Sequence, residues 1–155
     1  MMARRLEEKK TMALVAHDNR KKDLINWCQS HKDILAQHNL VATGTTGGLL
    51  SKNLGIKIES FLSGPLGGDF QIGTGIVEDR IDMLIFFWDP LESLGHDPDV
   101  KALLRLATLY NIPMACNQAS ADFFLNSTLM SSKYERQLNL IEQYQMKRKN
   151  TSLLD

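Results

Sequence analysis

The amino-acid sequence predicts an α/β fold: a three-layer α/β/α sandwich around a mainly parallel, five-stranded, doubly wound sheet. Three observations predict it. Short strand-like runs alternate with longer helical patterns along the chain, as repeated βα units do. The runs are largely apolar with little alternation, as strands covered on both faces are. The polar and glycine-rich clusters come just after the runs, where a doubly wound sheet gathers its ligand-binding loops.

Taken in order, Met12–Ala16 is wholly apolar and forms the first strand. A helix follows, with Leu24, Cys28 and Leu35 on one face. Leu40–Ala42 is a second short strand. It leads into Thr43-Gly44-Thr45-Thr46-Gly47-Gly48 and a short helix through Leu54, where Gly55 supplies the left-handed stop. Ile56–Leu62 alternates imperfectly and reads as an edge strand, ending in Ser63-Gly64-Pro65-Leu66-Gly67-Gly68-Asp69. Ile72 and Ile76, four apart, predict a helix despite Gly73 and Gly75, each of which costs about 1 kcal/mol relative to Ala. Ile81–Trp88 is the central parallel strand. Val100, Leu103, Leu104 and Ala107 mark an amphipathic helix, with Asp97 as its cap and Pro98 in its first turn. Ile112–Cys116 is the last strand, with Pro113 at its start, where a missing N–H does no harm. Beyond Phe124, Tyr134–Lys149 reads as a polar helix with an exposed basic end at Lys147, Arg148 and Lys149.

A chain of 155 residues, 43% apolar and 23% charged, has the size and composition to bury one ordinary core. The expected organisation is a single domain over 1–155, with 1–10 an N-terminal extension and 126–155 a C-terminal segment. Lys+Arg and Asp+Glu number 18 each, and a net charge of zero argues against an electrostatic grip on nucleic acid. The longest apolar stretch, Met83–Trp88, is far short of the ~20 residues that cross a bilayer, and the start lacks a signal-peptide core. No membrane association is expected, and the cytoplasm is the default compartment. Cys28 and Cys116, with no CxxC, make neither a disulfide framework nor a zinc cluster. They read, with Trp27, Trp88 and the methionines, as core or subunit contact. His31 and His38 read as surface residues at the remote end of the first helix.

On this fold the polar clusters converge on one rim. His17 and Asp18 end the first strand, Thr43–Thr46 the second, Ser63–Asp69 the third, and Asp89 with His96–Asp99 follow the fourth. Thr43–Gly48 has the parts of a phosphate cradle: glycines admit an anion to the backbone, a helix start offers N–H groups, and threonine hydroxyls add donors. It matches neither GxxxxGK[ST] nor GxGxxG, and a plain glycine-rich βα turn would read the same. Lys21, one turn into the first helix, is either a point charge for that anion or a solvated lysine. Asp69 is either a reactive carboxylate or an N-cap worth about 1 kcal/mol. The helix start leaves His96 and Asp99 unexplained, and a histidine beside carboxylates suits general acid–base work near neutral pH. His17, Asp18, His96 and the other aspartates lack metal-ligand spacing, so no metal is expected.

Ala16-His17-Asp18 with Lys21, Thr43–Thr46, Ser63–Asp69, Phe86–Pro90 and His96–Ala107, in this order and spacing, resemble the methylglyoxal synthase family from about Met12 to Phe124. The resemblance implies a homohexameric lyase without metal or organic cofactor. It would convert dihydroxyacetone phosphate to methylglyoxal and inorganic phosphate, the latter a product and a candidate inhibitor. Asp69 then matches the catalytic base. His17, Lys21, Thr43, Gly44, Thr45, Thr46, Ser63, Gly64 and His96 match substrate-binding positions, with His96 at the carbonyl and hydroxyl end. Asp18 and Asp99 match supporting carboxylates that orient it or shuttle protons. Arg148 falls where the family has a C-terminal arginine near the phosphate, although Gln137–Tyr144 departs from the family's sequence before it. The fold also resembles the regulatory domain of carbamoyl phosphate synthetase, which binds a phosphate-bearing ligand without turnover. Asp69 together with His96 and Asp99 favours the enzyme.

Overall fold

The computed structural model describes residues 2–92 and 97–151, without the side chains of 97 and 98. His96 and the expected capping role of Asp97 therefore lie outside the described residues. In chain order the elements are β1 (Ala3–Leu6), β2 (Thr11–Ala16), α1 (Lys21–Ser30), α2 (Lys32–Leu35), β3 (Asn39–Thr43) and α3 (Gly44–Leu54). Then come β4 (Glu59–Phe61), α4 (Gly68–Val77), β5 (Met83–Phe87), α5 (Asp97–Leu109), β6 (Met114–Ala115), α6 (Gln118–Leu125), β7 (Tyr134–Gln137) and α7 (Asn139–Thr151).

Five strands make one parallel sheet in the order β4-β3-β2-β5-β6. The chain winds outward from β2 to β4, crosses back to β5 beside β2, and ends at β6. The order reverses between β2 and β5, and a crevice opens there at the carboxyl ends of the strands. In β2, Met12, Leu14 and Ala16 pack on one face of the sheet against Leu24, Trp27, Cys28, Leu50 and Leu54 of α1 and α3 and Ala121 and Leu125 of α6. Ala13 and Val15 pack on the other, against Ile72 and Ile76 of α4 and Val100, Leu103 and Ala107 of α5. This is why the strand reads as an unbroken apolar run, and it gives the three layers that the sequence predicts. Among the described residues no helix is long and apolar enough to cross a membrane.

The structure departs from the sequence reading at several points. The first helix breaks at His31 into α1 and α2, although Leu24, Cys28 and Leu35 are all buried. The edge strand is confined to Glu59–Phe61. Tyr134–Lys149 is not one helix: Tyr134–Gln137 is a strand, antiparallel to β1, and only Asn139 onward is helical. The N-terminal residues thus contribute a strand of their own. Arg136 explains the difference, because its side chain is fully buried and donates to the Tyr110 carbonyl and the Asp79 carboxylate. A continuous helix would not deliver it there while keeping the β1 pairing.

His38 is also not a surface residue. It is buried, and its Nδ1 accepts the Lys10 amide hydrogen at 2.9 Å, which ties β2 to the start of β3. His31 is half-buried against Trp27. Trp27 and Cys28 lie in the core as expected, and burial pushes the Cys28 thiol up to about 12, so it stays protonated and unreactive.

Candidate active site

Four adjacent strands, β4, β3, β2 and β5, end on one rim, and a cavity of about 560 Å³ opens there. Its lining includes His17, Asp18 and Lys21 after β2, Thr43–Thr46 after β3, Ser63 and Gly64 after β4, Asp69 on α4 and Asp99 on α5. Of the described residues that the resemblance matches to catalytic or substrate-binding positions, only Arg148 is absent from this lining; Asp89, Gly47 and Gly48 of the polar clusters are absent as well. His96 lies outside the described residues. Arg148 stands on α7, donating to the Tyr144 hydroxyl at 3.2 Å and lying over that ring.

The glycines decide how closely the loops approach. Thr43-Gly44-Thr45-Thr46 is not a free loop: Thr43 ends β3 and stands at the N-cap of α3, which starts at Gly44 with φ +52°, a conformation that side chains disfavour. A Cβ on Gly44 would lie 2.9 Å from Ser63 Cα, so only glycine lets the two loops touch. The Gly44 amide donates to the Leu62 carbonyl at 3.1 Å. Gly68 abuts the same carbonyl, and a Cβ there would lie 2.8 Å from the Leu62 carbonyl carbon. The phosphate-cradle segment and the Ser63 turn are thereby clamped back to back. The amides of Thr45 and Thr46, at the start of an 11-residue helix, have no intrahelical acceptors and sit at its positive end.

Lys21 bridges the first two segments. Its ammonium donates to Thr45 Oγ1 at 3.0 Å and pairs with Asp18 at 2.8 Å, the Lys21 side chain being 26% exposed. Across the crevice, the Asp89 amide donates to His17 Nδ1 at 3.0 Å, and the His17 amide donates to the Phe87 carbonyl. The imidazole also meets the Phe86 ring edge-on at 5.3 Å. Asp89 keeps its own carboxylate below the ordinary range, chiefly through the Asn19 side-chain amide and then the Leu91 amide.

Asp69 is in the first turn of α4. Its Oδ1 is buried with no hydrogen-bond partner among the described residues. Burial raises its carboxyl above the ordinary value, and the neighbouring Asp99 carboxylate raises it further, against the lowering effect of the Asp69 and Phe70 amides. A desolvated carboxylate beside a second one holds a proton more tightly and is a stronger base when ionised. The cavity therefore brings an ammonium, threonine hydroxyls and helix-start amides together with a carboxylate of raised proton affinity. Among the described residues no group of three His, Cys, Asp or Glu side chains is placed to hold a metal ion.

One cavity residue was missed by the sequence reading. Glu92, three residues past Asp89, lines the cavity near His17. Its place just beyond the carboxyl end of β5 was the available signal.

Comparisons with known proteins agree with this geometry. Residues 23–116 match the model of the MGS-like domain family. A methylglyoxal synthase of Cellvibrio japonicus is 56% identical over 131 residues, which cover 84% of this chain and 85% of that protein. One of Clostridium acetobutylicum is 50% identical over 145 residues, covering 94% and 99%. The crystal structure of a methylglyoxal synthase from Elizabethkingia anophelis superposes with a TM-score of 0.85 at 51% identity, over 89% of this chain and 91% of that one. With the five-stranded parallel sheet and the rim cavity in hand, these likenesses show that the chain belongs to the methylglyoxal synthase family.

Proposed function

We propose that this chain is a carbon–oxygen lyase that converts dihydroxyacetone phosphate to methylglyoxal and inorganic phosphate. The observation that carries the reading is the placement of Asp69, with its raised proton affinity, in the same cavity as the Lys21–Thr45 anion cradle. At about 560 Å³ the cavity suits a three-carbon phosphate, since small-molecule sites run from about 300 to 1,000 Å³.

In this reading the phosphate lies against Lys21, the Thr45 and Thr46 amides and hydroxyls, and the turn at Ser63 and Gly64. His17, Thr43 and Gly44 complete the cradle. Asp69 takes a proton from the hydroxymethyl carbon beside the ketone, and the C–H electron pair becomes the double bond of an enediolate. His96 donates to the carbonyl and hydroxyl oxygens, a role that rests on the family resemblance. The enediolate electrons then expel the phosphate by breaking its C–O bond. The remaining enol of methylglyoxal takes up a proton at carbon, so atoms and charge balance without a cofactor. A positioned base contributes roughly 10²–10⁴-fold, and donors aimed at the oxyanion about 2.7–4 kcal/mol each. Asp99 tunes Asp69, and Asp18 holds Lys21.

Arg148, on a helix with no buried residues, is proposed to reach the phosphate of a neighbouring subunit in a homohexamer. Exposed Phe70, Leu66 and Phe123 support such an assembly by supplying apolar surface to cover. The reading includes a single domain in the cytoplasm, inhibition by the product phosphate, and no nucleic-acid or membrane partner.

The test is to incubate the purified chain with dihydroxyacetone phosphate and measure methylglyoxal and phosphate, which are expected in equal amounts. Phosphate binding without turnover would replace the enzyme by a non-catalytic regulatory domain of the same fold.

A further inference from the structure

The cavity holds an acidic side chain that the proposed reaction does not use. Glu92 Oε2 is 3.6 Å from His17 Nδ1, and the two side chains are 31% and 13% exposed. Nδ1 already accepts the Asp89 amide hydrogen at 3.0 Å. That bond needs the Nδ1 lone pair, so the neutral ring carries its proton on Nε2. When the ring takes up a second proton, the new hydrogen sits on Nδ1. It then opposes the Asp89 N–H and needs a different acceptor, and the Glu92 carboxylate is beside it.

We infer that Glu92 is a positioning residue that acts through His17. It receives the Nδ1 hydrogen of the charged ring, and so sets how much of the time the anion cradle holds a second cation beside Lys21. The inference deepens the proposed function, since a charged His17 strengthens the hold on a phosphate dianion and a neutral one relaxes it.

Among the described residues, the other charged groups around His17 have engagements of their own. The Asp89 carboxylate accepts from Asn19 and the Leu91 amide. Asp18, next in the chain, pairs with Lys21. Arg20 pairs with Asp23 and donates to the Trp88 carbonyl. Asp69 and Asp99 line the same cavity from α4 and α5, and Phe86 of β5 brings no charge. Glu92 is the carboxylate paired with Nδ1 itself.

The experiment is an NMR pH titration of the histidine ring signals in the full, ligand-free chain, with His17→Gln assigning one signal among the four histidines. Glu92→Gln is expected to lower the His17 midpoint by roughly 0.5–1 pH unit, and Glu92→Asp to recover part of the shift. The pH at which inorganic phosphate binding weakens should move down with it. A midpoint that stays put or rises in Glu92→Gln overturns the inference. So does a phosphate profile that ignores a shifted midpoint. Because the titration uses no substrate, its failure is distinct from a failure of the chain to make methylglyoxal.

Discussion

Replacing Gly68 by alanine probes how the site is built. The added Cβ would land on the Leu62 carbonyl and 2.8 Å from its carbon, and Ser63 follows that group directly. The same carbonyl accepts the Gly44 amide hydrogen, so any retreat loosens both loops of the anion cradle. Relief needs a shift of about 1 Å, and a misplacement of that size in a substrate-positioning loop costs ~10²-fold in rate. The overpacking itself costs about 1–3 kcal/mol, and at about 2–4 °C per kcal/mol the melting midpoint falls by roughly 2–12 °C. Gly48 is the control. It is on the same helix as Gly44, no described atom beyond its chain neighbours and the adjacent helix backbone lies within 4 Å of its Cβ position, and its φ is not positive. Gly48→Ala should raise stability by about 0.5–1 kcal/mol without loss of phosphate binding. The assays are kcat/KM for methylglyoxal formation, calorimetric titration with inorganic phosphate, and thermal melting. Wild-type activity and melting in Gly68→Ala would refute the claim that backbone contact between the two loops shapes the site.

Other outcomes follow from the same geometry. The proposed base Asp69 would act only when ionised, so its raised proton affinity should move the acid limb of kcat/KM above the ordinary Asp value, with activity lost as pH falls through it. Asp99→Asn removes a like charge and should move that limb to lower pH, read from a pH–rate profile. Lys21→Met removes a charge-assisted donor from the cradle and should weaken phosphate binding by about 1.5–3 kcal/mol, roughly ten- to hundredfold, by calorimetry. Arg136→Met leaves the Asp79 carboxylate and the Tyr110 carbonyl without their buried donor. Asp79 is 37% exposed and keeps Arg4 at 3.7 Å, so urea unfolding should register a loss of about 1–3 kcal/mol, with phosphate affinity little changed because Arg136 does not line the cavity.

The sheet and the rim were legible because burial on both faces writes itself into composition. Met12–Ala16 and Met83–Phe87 are apolar throughout because α1 and α3 cover one side and α4 and α5 the other. Convergence of the polar clusters needs only the strand ends, so His17, Thr43–Thr46, Ser63 and Asp69 could be gathered from sequence alone. The β1–β7 ribbon was not legible. Glu135, Arg136 and Gln137 are polar, their partners are at the other end of the chain, and burial of Arg136 depends on Asp79 and Tyr110, which no local period reveals. His38 was misread for the same reason, since its partner is the amide of Lys10. The basicity of Asp69 was hidden as well, because it arises from burial and from Asp99, thirty residues on in the sequence.

Asp69→Asn keeps the shape of the side chain and removes the proposed base. Methylglyoxal formation in this variant should fall by at least the roughly 10²–10⁴-fold attributed to a positioned base, while inorganic phosphate binds as tightly as before or more so. Turnover that survives the substitution, or turnover and phosphate binding lost in equal measure, would mean that Asp69 holds the loop together and that another group takes the proton.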